Sequence, residues 1–149
     1  MRPGELVWIG IRPARMALLM PQASAVLTAG QGIEGDHYET RHNGPRQATL
    51  IASEDISAIA SFLGRKQILP DLLRRNFVTR GVNLTALKGR RFRIGEALLE
   101  WSGDCAPCSR MEENLGPGGY NTMRGRGGIT ARILQSGTVR ISDAIAVAD

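Results

Sequence analysis

Cysteine, histidine, lysine and aromatic residues are all scarce in this chain, and it has no long apolar run. Two of its 149 residues are cysteine, too few for a disulfide framework, and a reducing compartment keeps such residues as thiols. Aromatic residues make up 5%, too few to interleave with arginine as the stacking surfaces of single-strand and RNA binders do, so no nucleic-acid partner is expected. No apolar run is longer than that from Met16 to Met20, which falls far short of the about 20 residues that a membrane-crossing helix needs. Glu5 interrupts the one stretch resembling a signal-peptide core, so the expectation is a soluble cytoplasmic protein with no membrane partner.

Lys66 and Lys88 are the only lysines among 19 basic residues, and the rest are arginine. The formal charge of +5 is therefore carried by the side chain that binds phosphate and carboxylate through two parallel hydrogen bonds. The stretch from Arg65 to Arg93 holds nine basic residues against one acid, Asp71, which predicts a local positive surface suited to an anionic ligand. At 42% hydrophobic and 22% charged the composition is globular, and the length predicts one domain over residues 1–149.

Eighteen glycines at short intervals predict tight turns between short elements. Glu5 to Arg12 alternates Val7, Ile9 and Ile11 and reads as a strand, as do Ala23 to Thr28 and Gln47 to Ala52. A helix follows: Ser53 suits its N-cap, Glu54 and Asp55 its first turn, Ile56, Ile59, Ala60 and Leu63 share a face, and Gly64 ends it. A helical turn is expected from Pro70, then a strand over Asn76 to Arg80, a hairpin of Arg91 to Ile94 and Ala97 to Trp101 about Gly95-Glu96, and strands over Ile129 to Leu134, Thr138 to Ile141 and Ala144 to Val147. About eight strands with one firm helix predict a mainly antiparallel sheet closed into a β-barrel.

Three motifs carry chemistry. Gly30 to Gly35 spells G-x-G-x-x-G after a strand, but neither an apolar stripe nor a helix-length run follows before Pro45, so these glycines read as turn residues and not as a dinucleotide site. Arg124-Gly125-Arg126-Gly127-Gly128 reads either as an anion cradle of backbone N–H groups or as a plain tight turn. Cys105-Ala106-Pro107-Cys108 has four readings. One is half of a zinc site completed by His37 and His42. A second is a redox dithiol, although here the motif follows an antiparallel hairpin. The third is a pair of ordinary buried thiols. In the fourth, Pro107 opens a helix and Cys108 lies in its first turn, where free amides and Arg110 favour a reactive thiolate, a donor that a soft or high-valent transition metal selects.

Six blocks taken in order resemble the MOSC domain, the C-terminal domain of molybdenum-cofactor sulfurases. They are Gly35-Asp36-His37, Gln47 to Ile51, Arg74-Arg75-Asn76-Phe77-Val78-Thr79-Arg80-Gly81-Val82, Leu87 to Gly95, Cys105 to Cys108, and Gly125 to Ile129. The resemblance runs from about Val7 to Val147 and implies a β-barrel with peripheral helices and an association with the molybdenum cofactor (molybdopterin). It implies that Cys108 carries sulfur or ligates molybdenum, and that Arg74 and Asn76 hold the pterin phosphate. The rest of that stretch, including Thr79 and Arg80, would join them at one barrel mouth together with Arg126 of the glycine-rich loop. Asp36 and His37 match a family motif and are counted with the cofactor-binding residues.

The resemblance departs from eukaryotic sulfurases, because no pyridoxal-phosphate-dependent desulfurase domain is present in this sequence. Both lysines sit in the basic stretch, so no Schiff-base site is expected and pyridoxal phosphate would enter only through a partner cysteine desulfurase. The N-terminal MOSC-associated β-barrel of larger amidoxime-reducing members is also missing. Three functions follow as expectations: a molybdenum-dependent reductase of N-hydroxylated substrates served by an electron-donor protein, a carrier of persulfide sulfur, or a non-catalytic dithiol or zinc domain.

Overall fold

The computed structural model describes residues 1–15, 17–108 and 110–148, so Met16, at the head of the apolar run to Met20, and Ser109, within the expected Cys108 helix, lie outside the described residues. Strands β1 (Gly4–Ile11), β2 (Met20–Gln22), β3 (Ser24–Thr28), β4 (Gly32–Ile33) and β5 (Ala48–Ala52) lead into helix α1 (Ser53–Phe62). A 3₁₀ turn at Pro70–Leu73 precedes β6 (Phe77–Arg80), and β7 (Arg91–Ile94) and β8 (Ala97–Asp104) form the expected hairpin. Two short helices, α2 (Arg110–Leu115) and α3 (Gly119–Thr122), precede β9 (Ile129–Gln135), β10 (Gly137–Arg140) and β11 (Ala144–Val147). The fold is mainly β, as expected, with eleven strands among the described residues; the two that the sequence pattern missed, β2 and β4, are three and two residues long.

The sheet runs β11-β7-β8-β9-β5-β6-β1-β2, and β1 also pairs with β11, closing seven strands into a barrel. Among the described strands only β5 and β6 pair in parallel, since α1 carries the chain across between them. All five residues of β5 are buried because the strand is covered on both faces. Leu50 faces the barrel core with Phe77, Phe92, Leu99 and Ile133, while Ile51 packs outward with Val78 beneath Ile56 and Ile59 of α1. Strands β3, β4 and β10 form a second sheet whose Ala25, Leu27, Ile33 and Val139 join the barrel core.

Strand β1 departs from the simple alternation. Its pairing with β6 jumps from Leu6↔Thr79 to Trp8↔Val78, so Val7 is an extra residue in a β-bulge. The bulge turns Leu6 and Ile9 both inward, fully buried, and leaves Val7 and Trp8 against the outer helical layer. Helix α1 also starts differently from expectation: Ser53 is its first residue and Ala52 the cap, with no side-chain cap hydrogen bond. The first-turn acid Glu54 instead accepts the Gly81 N–H at 2.9 Å, tying the helix start to the end of β6. Gly64 does close the helix, with φ of +69° and the Arg65 N–H reaching Ala60 O.

Candidate active site

The Cys105–Cys108 segment leaves the barrel at the end of β8. Asp104 pairs with Ile129, and the next residue continues the ladder, its N–H donating to Gly128 O at 2.9 Å. Cys105 is buried, 2% exposed, whereas Cys108 is exposed, and both thiols are free. The expected helix from Pro107 does not form: α2 begins at Arg110, and Cys108 precedes it with its carbonyl accepting the Met111 N–H at 2.9 Å. The Ala106 carbonyl accepts from Arg75 Nη2 at 3.3 Å.

Arg75 is the least expected residue of the site. It is 2% exposed, and its fork donates from Nε to Gly127 O (2.8 Å), from Nη1 to Leu73 O (3.0 Å) and from Nη2 to Cys105 O (3.2 Å) and Ala106 O. One side chain thereby fastens the start of β6, the cysteine segment and the glycine-rich loop together. Burial pushes its pKa down; Cys105 and Cys108 oppose that shift, and Arg46 and Arg12 add to it. Arg46 Nη2 also reaches Cys105 Sγ at 3.8 Å. Arg74, half-buried, holds a left-handed backbone (φ 60°, ψ 31°), which costs a non-glycine residue about 1 kcal/mol or more. Burial lowers its pKa too, with Arg12, Cys108, Arg110 and Arg75 as its charged neighbours. Arg12, Arg46, Arg74, Arg75 and Arg110 thus form a positive cluster about the two thiols.

Glycine is required at two points of this junction. A Cβ at Gly127 would land on the Cys105 carbonyl, and one at Gly128, with φ +88°, on the Leu50 carbonyl. The loop therefore lies directly against the β5 backbone and the cysteine segment.

The other expected site residues divide into two groups. Asp36 stands beside the cluster: its Oδ1 accepts the Arg12 N–H at 2.7 Å, while the His37 N–H donates to Arg12 O at 2.6 Å with its side chain exposed. Asn76 is buried with its side chain engaged, Oδ1 accepting from Thr49 Oγ1 (3.0 Å) and Nδ2 donating to Gly10 O (3.1 Å). By contrast, Thr79 is fully buried in β6 with its hydroxyl unpartnered, and Arg80 is exposed and paired with Glu5 at 2.7 Å. Arg126 sits 4.8 Å from the centre of the Phe62 ring and attracts Asp55. The chain therefore brings Arg74 near Cys108, ties Asp36 to the Arg12 backbone, and sets Arg80 and Arg126 beside a cleft.

That cleft, about 580 Å³, has Ala52, Val82, Leu84 and Ile129 among its apolar walls, three carboxylates in Glu54, Asp55 and Asp104, and Cys105 and Pro107 on the side of the cysteine segment. Burial raises the Glu54 pKa, but the Gly81 N–H, its own N–H, Ser53 and Arg80 outweigh that effect and leave it lowered. Asp55 is raised by burial, with Arg126 opposing and Glu54 adding. Two acids in adjacent positions are thus driven apart by their surroundings.

Among the described residues no three of His, Cys, Asp and Glu come together to hold a metal, so the zinc arrangement of Cys105, Cys108, His37 and His42 does not form. The G-x-G-x-x-G segment opens no helix; Gly30 and Gly35 have φ of +73° and +85°, and Gly32-Ile33 pairs with β3. Among the described residues no helix is long and apolar enough to cross a membrane. Arg46 and Arg75 escaped the sequence reading because their contacts to the cysteine segment span 30 to 59 residues, beyond any local periodicity.

Comparison with other proteins places this geometry. The fold is similar to the YUAD protein from Bacillus subtilis, with a TM-score of 0.85, 23% identity, and coverage of 98% of this chain and 96% of that one. It is also similar to YiiM from Geobacillus stearothermophilus (TM-score 0.78, 16% identity, 99% and 76% coverage) and YiiM from Escherichia coli (0.76, 18%, 100% and 71%). No curated protein matches the sequence. The MOSC domain matches residues 38–146, a span that takes in β5 to β10, the arginine stretch and the cysteine segment, and the chain belongs to the MOSC domain family.

Proposed function

We propose that this chain binds the molybdenum cofactor at the arginine cluster, with Cys108 as the protein ligand to the metal, and reduces N-hydroxylated substrates received in the neighbouring cleft. The observation that carries this reading is an exposed thiol within a group of guanidiniums, next to a second thiol that is buried and accepts from Arg46. The donor set fits the cofactor: a thiolate is a soft ligand for a high-valent metal, and arginines suit the phosphate of a pterin. Cys108 would hold the metal, and Arg74, with Arg12 and Arg110 nearby, would hold the anionic end. Bound molybdenum supplies two-electron chemistry at an oxygen or nitrogen centre.

The chain's own contribution is placement. Arg75 and the glycines fix the cysteine segment, Asp36 fixes the Arg12 backbone, and the cleft offers a small organic molecule apolar walls and three carboxylates in its lining. Pyridoxal phosphate does not fit here: Lys88 lies over the Trp101 ring at 5.8 Å, and Lys66 lines a separate groove with Trp8 and Ile68. A partner desulfurase would supply that chemistry.

The exposure of Cys108 favours a second reading, a persulfide carrier, since a protein donor can reach the thiol directly. The test loads the apo-chain with molybdenum cofactor and assays reduction of an amidoxime or N-hydroxylated base with an artificial electron donor. In parallel, incubation with a cysteine desulfurase and L-cysteine is followed by intact mass. Turnover lost in Cys108→Ser supports the reductase; a gain of about 32 Da on Cys108 with no turnover supports the carrier. Turnover retained in Cys108→Ser overturns the ligand assignment.

A further inference from the structure

The family resemblance gives Arg75 no role of its own, yet among the described residues its fork carries the most hydrogen bonds between segments of the site. Its donors end on the carbonyl oxygens of Leu73, Cys105, Ala106 and Gly127. Carbonyl groups carry no net charge, so these bonds satisfy the guanidinium's N–H groups without cancelling its charge. Burial excludes the water that would otherwise screen it. The charge therefore acts on what lies next to it, which includes Cys105 and Cys108 as well as Arg12 and Arg46. Two jobs are joined in one side chain: the fork sets the path of the cysteine segment, and the charge biases what that segment attracts.

We propose that Arg75 is the positioning residue of this site, holding the Cys105–Cys108 segment through its carbonyls and supplying a buried positive charge that draws anionic reactants to the Cys108 thiol. The proposal rests on the reading of Cys108 as the reactive thiol. It concerns the chain without cofactor, so it can fail while the cofactor reading stands.

The charge and the fork are separable by experiment. Iodoacetate and iodoacetamide alkylate the same thiolate, one as an anion and one as a neutral molecule. The ratio of their rates at Cys108 therefore reads the local potential and cancels changes in thiol ionisation or exposure. Wild-type chain is compared with Arg75→Lys, which keeps the charge and loses the fork, and with Arg75→Met, which loses both. Arg75→Gln, neutral but still able to donate to a carbonyl, replaces the Met variant should that one fail to fold. Cys105→Ser in every background confines labelling to Cys108, and peptide mass spectrometry confirms the position.

The expected result is an iodoacetate-to-iodoacetamide ratio that falls roughly twofold to tenfold in the neutral variants, the range for one partly screened charge, and that stays near wild type in Arg75→Lys. Hydrogen exchange at the Cys105 and Gly128 amides should quicken in Arg75→Lys and Arg75→Met alike, reporting the lost fork. A ratio unchanged in the neutral variants would make Arg75 a structural strut alone and overturn the proposal. A ratio that falls equally in Arg75→Lys would overturn it as well. Protection unchanged in both variants would remove the anchoring half. Failure of Cys108 to react with either reagent while Arg75 is intact would overturn the reading of Cys108 itself.

Discussion

Replacing Asn76 by alanine separates a residue that builds the site from one that touches its ligand. The family resemblance assigns Asn76 to the pterin phosphate, yet its side chain is spent inside the fold. Thr49 Oγ1 donates to Asn76 Oδ1 at 3.0 Å, and Asn76 Nδ2 donates to Gly10 O at 3.1 Å. The backbone of Asn76 is tied to the same places, its N–H to Thr49 Oγ1 at 2.9 Å and its carbonyl to the Gly10 N–H at 2.7 Å. Alanine removes two buried hydrogen bonds, about 1 kcal/mol each, and leaves the Gly10 carbonyl without its side-chain donor and the Thr49 hydroxyl proton without its acceptor, at a further cost. The total is about 2–4 kcal/mol, or a fall in Tm of roughly 5–15 °C for a chain of this length. Thermal unfolding of the apo-chain is the assay. Asn76→Asp adds a check of sign. Its carboxylate would face the Gly10 carbonyl, so burial raises its folded pKa above the unfolded value of about 3.9. The variant should therefore be most stable at low pH and lose stability as pH rises through that window. An Asn76→Ala protein that melts within about 2 °C of wild type but no longer binds cofactor would refute the reasoning.

Gly128→Ala should cost about 3 kcal/mol or more, because the added methyl meets the Leu50 carbonyl at a positive φ; a midpoint shift in urea checks it, and a near-neutral result would contradict the close packing of the loop on β5. Glu54→Gln should lose about 0.5–1 kcal/mol at neutral pH, the screened worth of an exposed charged hydrogen bond to Gly81. Since the folded pKa of Glu54 lies below its ordinary 4.5, this difference is present above that value and should vanish as pH falls through the lower, folded value; a difference that persists in acid would exclude the carboxylate as its source. Arg74→Ala should weaken molybdenum-cofactor binding at least tenfold, the equivalent of about 1.4 kcal/mol. Unchanged cofactor affinity in that variant would remove Arg74 from the phosphate site.

The barrel was legible because it rests on local signals. Alternating Leu27 and Ala25, the Gly95-Glu96 turn and the break at Gly64 each act within a few residues. The two very short strands escaped because two or three residues carry no period. The bulge at Val7 escaped because it is defined by its partner strand, not by its own letters. The site was legible only in part. Cys108 and Arg74 lie in conspicuous motifs, and the structure brings them within electrostatic reach of each other. Which arginine of the Arg74-Arg75 pair would be buried depends on carbonyls 30 to 52 residues away. The same distance rule hid the use of Arg126 against Phe62 and Asp55.

The central claim is that Cys108 holds molybdenum at the arginine cluster, and metal content tests it most directly. Wild-type, Cys105→Ser and Cys108→Ser chains, each produced in a molybdenum-replete host, are analysed for molybdenum per polypeptide after desalting. The account predicts near-stoichiometric metal in the wild type, a substantial part of it in Cys105→Ser, whose thiol is buried, and loss in Cys108→Ser. Metal retained in full by Cys108→Ser, or absent from all three while Cys108 carries a labile sulfur, would contradict it.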